Sequence, residues 1–337
     1  MKVLVTGGTG FIGSHTCVEL INNHDEVVII DNLSNSSREV LNRIAKITGI
    51  IPKFYQDDIL DKDALINIFT ENKFDAVIHF AGLKAVGESV EKPLAYYHNN
   101  VCGTINLLEV MQQFKVKRLV FSSSATVYGD PERVPITEDS RLQTTNPYGT
   151  TKLIIEDILR DLAHADKQWQ IVLLRYFNPI GAHSSGLIGE TPNGIPNNLL
   201  PYIAQVATGQ RDKLRIWGND YDTIDGTGVR DYIHVVDLAI GHVKALNYLE
   251  QNLGIEAFNL GRGIGYSVLQ VHDAFEQAVG IKVPYEIMNR RPGDIATCYA
   301  DTTKAERVLG FKAQRDINEM CKDLWHFYEV NPQGIKD

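Results

Sequence analysis

Residues 7–13 read Gly-Gly-Thr-Gly-Phe-Ile-Gly, directly after a short apolar run at Lys2–Thr6 and directly before a helical pattern over 11–22. This order of strand, glycine turn and helix constrains the chain more than any other feature. Gly7 supplies the tight turn, Gly10 lets the backbone approach a pyrophosphate, and Gly13 lets helix and strand pack closely. The helix N-terminal amides then face the phosphates. Asp31 ends the next predicted strand, eighteen residues after Gly13. A carboxylate there accepts hydrogen bonds from an adenosine ribose and repels a 2′-phosphate, so the loop predicts NAD rather than NADP.

The apolar runs Lys2–Val5, Glu26–Ile30, Lys53–Tyr55, Ala76–Phe80, Arg118–Phe121 and Gln170–Leu174 alternate with amphipathic segments near 12–22, 37–48, 61–71, 94–114 and 148–164. Such alternation predicts an α/β fold, a Rossmann-type doubly wound parallel sheet with helices on both faces. Beyond residue 175 Gly, Pro and Asn become denser, as in Phe177-Asn178-Pro179-Ile180-Gly181 and Gly194-Ile195-Pro196-Asn197-Asn198. That half still carries apolar runs at 214–217, 256–260 and 283–287, and helical patterns at 199–208, 235–251, 267–279 and 316–328. The expected division is a dinucleotide-binding domain over 1–175 and a smaller mixed α/β substrate-binding lobe over 176–337, with a return of the chain to the first domain allowed. The last five residues read as a loose tail.

A chain of 337 residues with 44% apolar and 22% charged residues can bury a large core. Its net charge of −9 speaks against a nucleic-acid surface, which needs a basic patch, but permits a local basic pocket for a small phosphorylated ligand. Cys17, Cys102, Cys298 and Cys321 are far apart and form no C-x-x-C pair, so reduced thiols are expected, with neither zinc nor a disulfide framework. No apolar run reaches the ~18 residues that span a membrane. The start, Lys2-Val3-Leu4-Val5-Thr6, is too short for a signal peptide. A cytoplasmic protein with no membrane or nucleic-acid partner is expected.

Tyr148 and Lys152 are one helical turn apart, and Ser122, Ser123 and Ser124 lie upstream of them. Four-residue spacing puts both side chains on one helix face, where the ammonium favours ionisation of a phenol whose reference pKa is about 10. Ser124 is placed to pass on the proton or hold the same substrate oxygen. A lone Y-x-x-x-K is an ordinary helix pair; the glycine loop in the same chain turns it into a catalytic expectation. Asp57-Asp58-Ile59 after the third run suits an adenine amino group, and His79-Phe80-Ala81-Gly82-Leu83-Lys84 after the fourth would lie over the cofactor's centre, with Asn99 on the helix behind.

The segments VTGGTGFIGSH, DNLSNS, HFAGLKAVGESV, FSSSATVYGD, NPYGTTK, LRYFNPIGAH, IPNNLLPYIAQVA, GNDYDTIDGTGVRDYIHV and RRPGDIATCYAD carry a resemblance over essentially the whole chain. On them the chain resembles the extended short-chain dehydrogenase/reductase superfamily and, within it, the UDP-glucose (UDP-galactose) 4-epimerase family. The glycine loop alone indicates only the superfamily; HFAGLKAVGESV and GTGVRDYIHV narrow it. The resemblance implies an NAD-dependent isomerase acting on a UDP-sugar, a homodimer, and a role in galactose metabolism. It also implies that the cofactor is held by Gly7, Gly10, Phe11, Ile12, Gly13, Asp31, Asn32, Asn35, Ser36, Asp58, Ile59, Phe80, Ala81, Gly82, Lys84, Asn99, Ser124, Tyr148, Lys152 and Phe177. The substrate falls to Ser124, Tyr148, Asn178, Asn198, Leu199, Arg215, Trp217, Arg230, Arg291, Asp294 and Cys298. Arg230 and Arg291 would neutralise the pyrophosphate, Asp294 would meet the uridine ribose, and Arg215-Ile216-Trp217 would flank the uracil.

Related dehydratases carry an Asp-Glu pair directly after the Ser/Thr. Here those positions are Ala125 and Thr126, neither a useful general acid or base, so water elimination is disfavoured and oxidation with re-reduction at sugar C4 remains. In that chemistry Tyr148 takes the C4 hydroxyl proton, Ser124 shares or orients it, and Lys152 lowers the tyrosine pKa while meeting the nicotinamide ribose. Cys298 stands where the family may place a bulky tyrosine; it either makes room for an acetamido group, extending the substrates to UDP-GlcNAc/UDP-GalNAc, or is simply a small buried hydrophobe. Two other readings stay open, a UDP-sugar dehydratase or decarboxylase and a non-catalytic NAD-binding sensor. The helices near 94–114 and 148–164 suit pairing across a two-fold axis.

Overall fold

Six short runs of apolar residues become the parallel strands β1 (Lys2–Thr6), β2 (Glu26–Ile30), β3 (Lys53–Tyr55), β4 (Ala76–His79), β5 (Arg118–Ser122) and β6 (Gln170–Tyr176). A seventh, Gly254–Leu260, lies outside β6, and the sheet order is Gly254–Leu260, β6, β5, β4, β1, β2, β3, every pair parallel. The computed structural model describes all residues except Asn193, Ile195, Asn197, Pro292, Gly293 and Asp337. Those members of the 194–198 loop, of the IPNNLLPYIAQVA and RRPGDIATCYAD segments and of the tail therefore lie outside the described residues.

Alternation along each strand divides the core between two faces. Val3, Val5, Val27 and Ile29 pack with the helices Phe11–Asn22, Glu39–Thr48 and Val235–Leu249. Leu4, Val28, Ile30 and Val77 pack with Lys62–Glu71, Gly103–Gln113 and Pro147–Ala165. The strand order reverses between β1 and β4, which opens a crevice at the C-terminal ends of the strands. Residues 235–260 thus return from the second half of the chain to the first sheet. The remaining part of that half forms two small sheets. Val229–His234 pairs antiparallel with Gly265–Ser267 and parallel with Asn178–Ile180 and Thr297–Cys298, while Leu214–Trp217 pairs parallel with Tyr285–Met288.

Two expectations need correction. The 94–114 helix is a composite of Pro93–Tyr96, a π-helical turn at Tyr97–Cys102 and Gly103–Gln113; such turns re-aim side chains at functional sites. The tail is docked as far as Ile335, which is buried and donates its N–H to Thr191 Oγ1 at 3.2 Å. An isoleucine at that position gives the end of the chain something to bury.

Candidate active site

Each motif reaches the crevice through a particular turn. At Gly7, φ is +70° and an added Cβ would stand 2.9 Å from the Ala81 nitrogen; at Gly13 it would stand 2.2 Å from the Gly7 oxygen. Only glycine fits either position. Gly10 begins the Phe11–Asn22 helix with no side-chain cap, so the positive helix end at Phe11 and Ile12 is left for a ligand's phosphates. Buried Asp31 accepts from Thr9 N (3.1 Å), Leu33 N (2.9 Å) and Ser36 Oγ (3.2 Å), tying the glycine loop to the turn that follows β2. Asn32 donates to Asp58 at 2.8 Å, and Asn35 is exposed on the same turn. Ile59 is a wedge: a Cβ at Gly103 would meet its Cδ1 at 2.6 Å. An uncapped helix end, a glycine cradle and a carboxylate at the next strand end fit a dinucleotide with a free ribose.

Beyond β4, Phe80 N donates to Thr6 O at 3.1 Å and Ala81 N to Thr6 Oγ1 at 3.2 Å. Asn100, which sequence reasoning missed, holds the next turn. It accepts from Leu83 N (2.8 Å) and Asn99 Nδ2 (2.9 Å), and donates to Leu83 O (3.0 Å) and Thr151 Oγ1 (3.1 Å). The only signal was its place beside Asn99; its inward aim comes from the π turn.

The tyrosine helix starts where Asn146 caps it, accepting from Gly149 N at 2.9 Å, with Pro147 in the first turn. Tyr148 is half-buried. Burial pushes its phenol up, while a hydrogen bond with Ser124 and the Lys84 ammonium pull it back. Lys152 differs from expectation. Its Nζ donates to Ser122 O at 2.7 Å and lies 4.9 Å from the Phe121 ring centroid and 6.0 Å from that of Tyr148. The cation acting on the Tyr148 hydroxyl is therefore Lys84, because Lys152 is directed across the helix to the end of β5. Lys84 in turn pairs with Glu190 at 3.0 Å, and Glu190 accepts from Asn198 at 2.9 Å. Glu190, buried in a Gly/Pro-rich segment, carried no sequence signal.

The three serines divide their roles. Ser122 Oγ makes a short hydrogen bond with Tyr176 Oη, Ser123 Oγ donates to Glu156 at 2.6 Å, and Ser124 Oγ accepts from Thr126 N (3.2 Å) and Thr126 Oγ1 (3.0 Å). Phe177 and Asn178 continue from β6 into the smaller sheets. Phe177 is buried with Ala125 and Cys298 in one small apolar cluster. Cys298 pairs in register with Arg230; burial pushes its thiol up to about 11 against the pull of that arginine. Arg230 Nη1 donates to Val229 O at 2.8 Å. Farther out, Arg291 pairs with Asp294 at 3.0 Å and lies 5.8 Å from the Trp217 centroid, while exposed Arg215 pairs with Glu286 at 3.3 Å. Leu199 begins the Leu199–Ala207 helix directly after Asn198.

The family model described as GDP-mannose 4,6 dehydratase matches residues 4–324. The UDP-glucose 4-epimerase of Bacillus subtilis (strain 168) is 62% identical over 336 residues, which cover 100% of this chain and 99% of that protein. The chain belongs to the UDP-glucose 4-epimerase family. Among solved members of the UDP-glucose 4-epimerases, the Bifidobacterium longum enzyme in complex with NAD+ and UDP is 55% identical, with a TM-score of 0.97 and coverage of 99% of this chain and 100% of that one. The UDP-Glc/GlcNAc 4-epimerase from Campylobacter jejuni is 37% identical, with a TM-score of 0.85 and coverage of 98% and 99%. The dehydratase-named match reflects the wider superfamily. Ala125 and Thr126, following Ser124, set this epimerase-family chain apart from the dehydratase pattern; Thr126 is spent on hydrogen bonds to Ser124.

Proposed function

We propose that the chain interconverts UDP-glucose and UDP-galactose, using NAD that stays bound through the cycle. The observation that carries this is the meeting of Tyr148, Ser124, Lys84 and Lys152 beside the glycine cradle, with no acid–base pair at positions 125 and 126. A dinucleotide held there would supply the hydride acceptor and donor for sugar C4. Every other task belongs to side chains. Tyr148 Oη takes the C4 hydroxyl proton and gives it back, and Ser124 Oγ aligns that hydroxyl. Lys84 supplies the positive charge that acts on the Tyr148 hydroxyl, and Lys152, held by the Ser122 carbonyl, reaches the cofactor ribose. Gly7, Gly10, Gly13 and the Phe11–Ile12 amides hold the pyrophosphate, and Asp31 holds the adenosine ribose.

On the substrate side, Arg230 and Arg291 bind the UDP phosphates, Asp294 the uridine ribose, Trp217 and Arg215 the base, and Asn178, Asn198 and Leu199 the sugar–phosphate junction. A firmly held UDP and a loosely held sugar let C4 present either face. Two finer readings accompany this one. Cys298, a small side chain beside Ala125 and Phe177, stands where a bulkier one would crowd a 2-acetamido group, and on this reading UDP-GlcNAc and UDP-GalNAc are also substrates. Val90 on the Val86–Glu91 helix and Leu94 on the first segment of the composite helix, 63% and 82% exposed, mark the face for a two-fold homodimer, which sedimentation of the purified chain tests. A cytoplasmic location suits four free cysteines and, among the described residues, no helix long and apolar enough to cross a membrane.

The primary test incubates purified protein with UDP-galactose and no added NAD, followed by chromatography and mass spectrometry. UDP-glucose at unchanged mass is expected. A product lighter by one water overturns the reading.

A further inference from the structure

Four residues after Lys152, Glu156 lies on the same helix face and is completely buried. Its carboxylate is fully engaged. Oε1 accepts from Ser123 Oγ (2.6 Å) and Arg175 Nε (3.0 Å), and Oε2 from Arg175 Nη2 and Arg160 Nη2 (both 2.7 Å). Arg175 stands on β6, nearly as buried, and its Nη1 donates to Tyr128 Oη at 3.0 Å and Glu138 O at 3.1 Å. One acid thus joins the tyrosine helix, the serine run after β5 and strand β6 behind the reacting groups. None of these contacts faces the crevice chemistry, yet Ser123 is flanked by Ser122, whose carbonyl holds Lys152, and by Ser124.

We infer that Glu156 is a positioning residue, which fixes the serine run against the tyrosine helix and keeps Lys152 an ammonium. The second role follows from what surrounds that amine. From β5 it meets the Phe121 ring and the Ser122 carbonyl. His79 of β4 is neutral, driven down to about 3 by burial and by Lys152 itself. Tyr176 of β6 is neutral, its phenol pushed up by burial. Tyr148 on the same helix is also pushed up. Burial pulls Lys152 down to about 8, and among the described residues Glu156 is the negative group that opposes it. Arg175 overrides the cost of burial and holds Glu156 ionised. Without that carboxylate the amine would be largely neutral at pH 8, no longer a full charge beside Tyr148.

This rests on the assignment of Lys152 above, so its test includes a readout independent of turnover. Full-length protein labelled with 13Cε-lysine is titrated by NMR, with Lys152→Met identifying the resonance. In Glu156→Gln the Lys152 midpoint falls by about one pH unit. The alkaline limb of kcat moves to lower pH by the same amount, since the ammonium is the active form, and KM for UDP-galactose changes little. If Glu156→Gln fails to fold, Glu156→Gln/Arg175→Met removes both buried charges together and leaves neither unpaired; a smaller shift of the same sign is expected there, because the lost Arg175 cation offsets part of it. An unmoved Lys152 midpoint in either folded variant overturns the inference. A wild type that does not epimerise would instead fault the proposed function, with the NMR shift unaffected.

Discussion

Lys84 and Glu190 are 106 positions apart in the chain and 3.0 Å apart in the fold, joining the turn after β4 to the segment before the Leu199–Ala207 helix. Lys84 acts on the Tyr148 hydroxyl, and Glu190 acts on Lys84. Lys84→Met removes the cation that pulls the phenol down, so the tyrosine ionises only at higher pH and the limb of kcat that needs a base moves upward. Glu190→Gln leaves Lys84 charged without its counter-ion and moves the same limb downward. Each shift is of order one pH unit, or about tenfold in kcat at neutral pH. Shifts of the same sign in the pH–rate profiles would contradict this arrangement.

Removing the phenol hydroxyl tests the proton transfer directly. Tyr148→Phe retains the ring, the helix cap at Asn146 and the Lys152–Ser122 contact. The expected loss in kcat is about 10²- to 10⁴-fold, with UDP binding by calorimetry nearly unchanged. A variant of near wild-type turnover would transfer the role of base to another group.

The first six strands of the sheet were legible because each carries its own short apolar run; the seventh falls on the 256–260 run, which read as part of the smaller lobe and joins the sheet only through tertiary pairing with β6. The glycine loop, Asp31 and the Tyr148–Lys152 pair were legible because backbone geometry or helical spacing dictates them. What escaped were residues whose roles exist only through tertiary contact. Glu190 gains its meaning from Lys84, Glu156 from Ser123 and Arg175, and Asn100 from a π turn that helix periodicity does not reveal. The direction of Lys152 escaped for the same reason. Spacing puts it on the face of Tyr148 but does not say that the nearest acceptor is the Ser122 carbonyl.

Three buried histidines make stability fall on acidification. Burial drives His15 and His79 down to about 3 and His242 to about 4. The native state therefore binds fewer protons than the unfolded chain below pH ~6.5, and stability rises with pH through that window. Together the three give a slope approaching roughly 4 kcal/mol per pH unit between about pH 6 and 5, of which buried Asp231, pushed up to about 6, offsets about 1. Urea unfolding at pH 7.5, 6 and 5 reads it. His242→Asn, retaining a donor for Leu238 O, lowers the slope by about 1.4 kcal/mol per pH unit. A flat stability between pH 7 and 5 would mean that these imidazoles are protonated in the fold.

Cys298 offers the sharpest separation of substrate range from chemistry. The side chain is buried with Ala125 and Phe177 and lies in register with Arg230; on the proposed substrate assignment its volume bears on the sugar and not on the proton path. Cys298→Tyr adds a phenol ring there and is expected to cut kcat/KM for UDP-GalNAc by about 10²-fold, near 3 kcal/mol, as overpacking of a built site typically costs. Turnover of UDP-galactose, whose 2-hydroxyl is smaller than an acetamide, should remain within a few-fold. The two substrates are to be compared on one preparation, so that any loss of folded protein affects both alike. Equal losses would show that the tyrosine damages the site generally. No turnover of UDP-GalNAc by the wild type, or unchanged turnover in the variant, would remove Cys298 from the determinants of specificity.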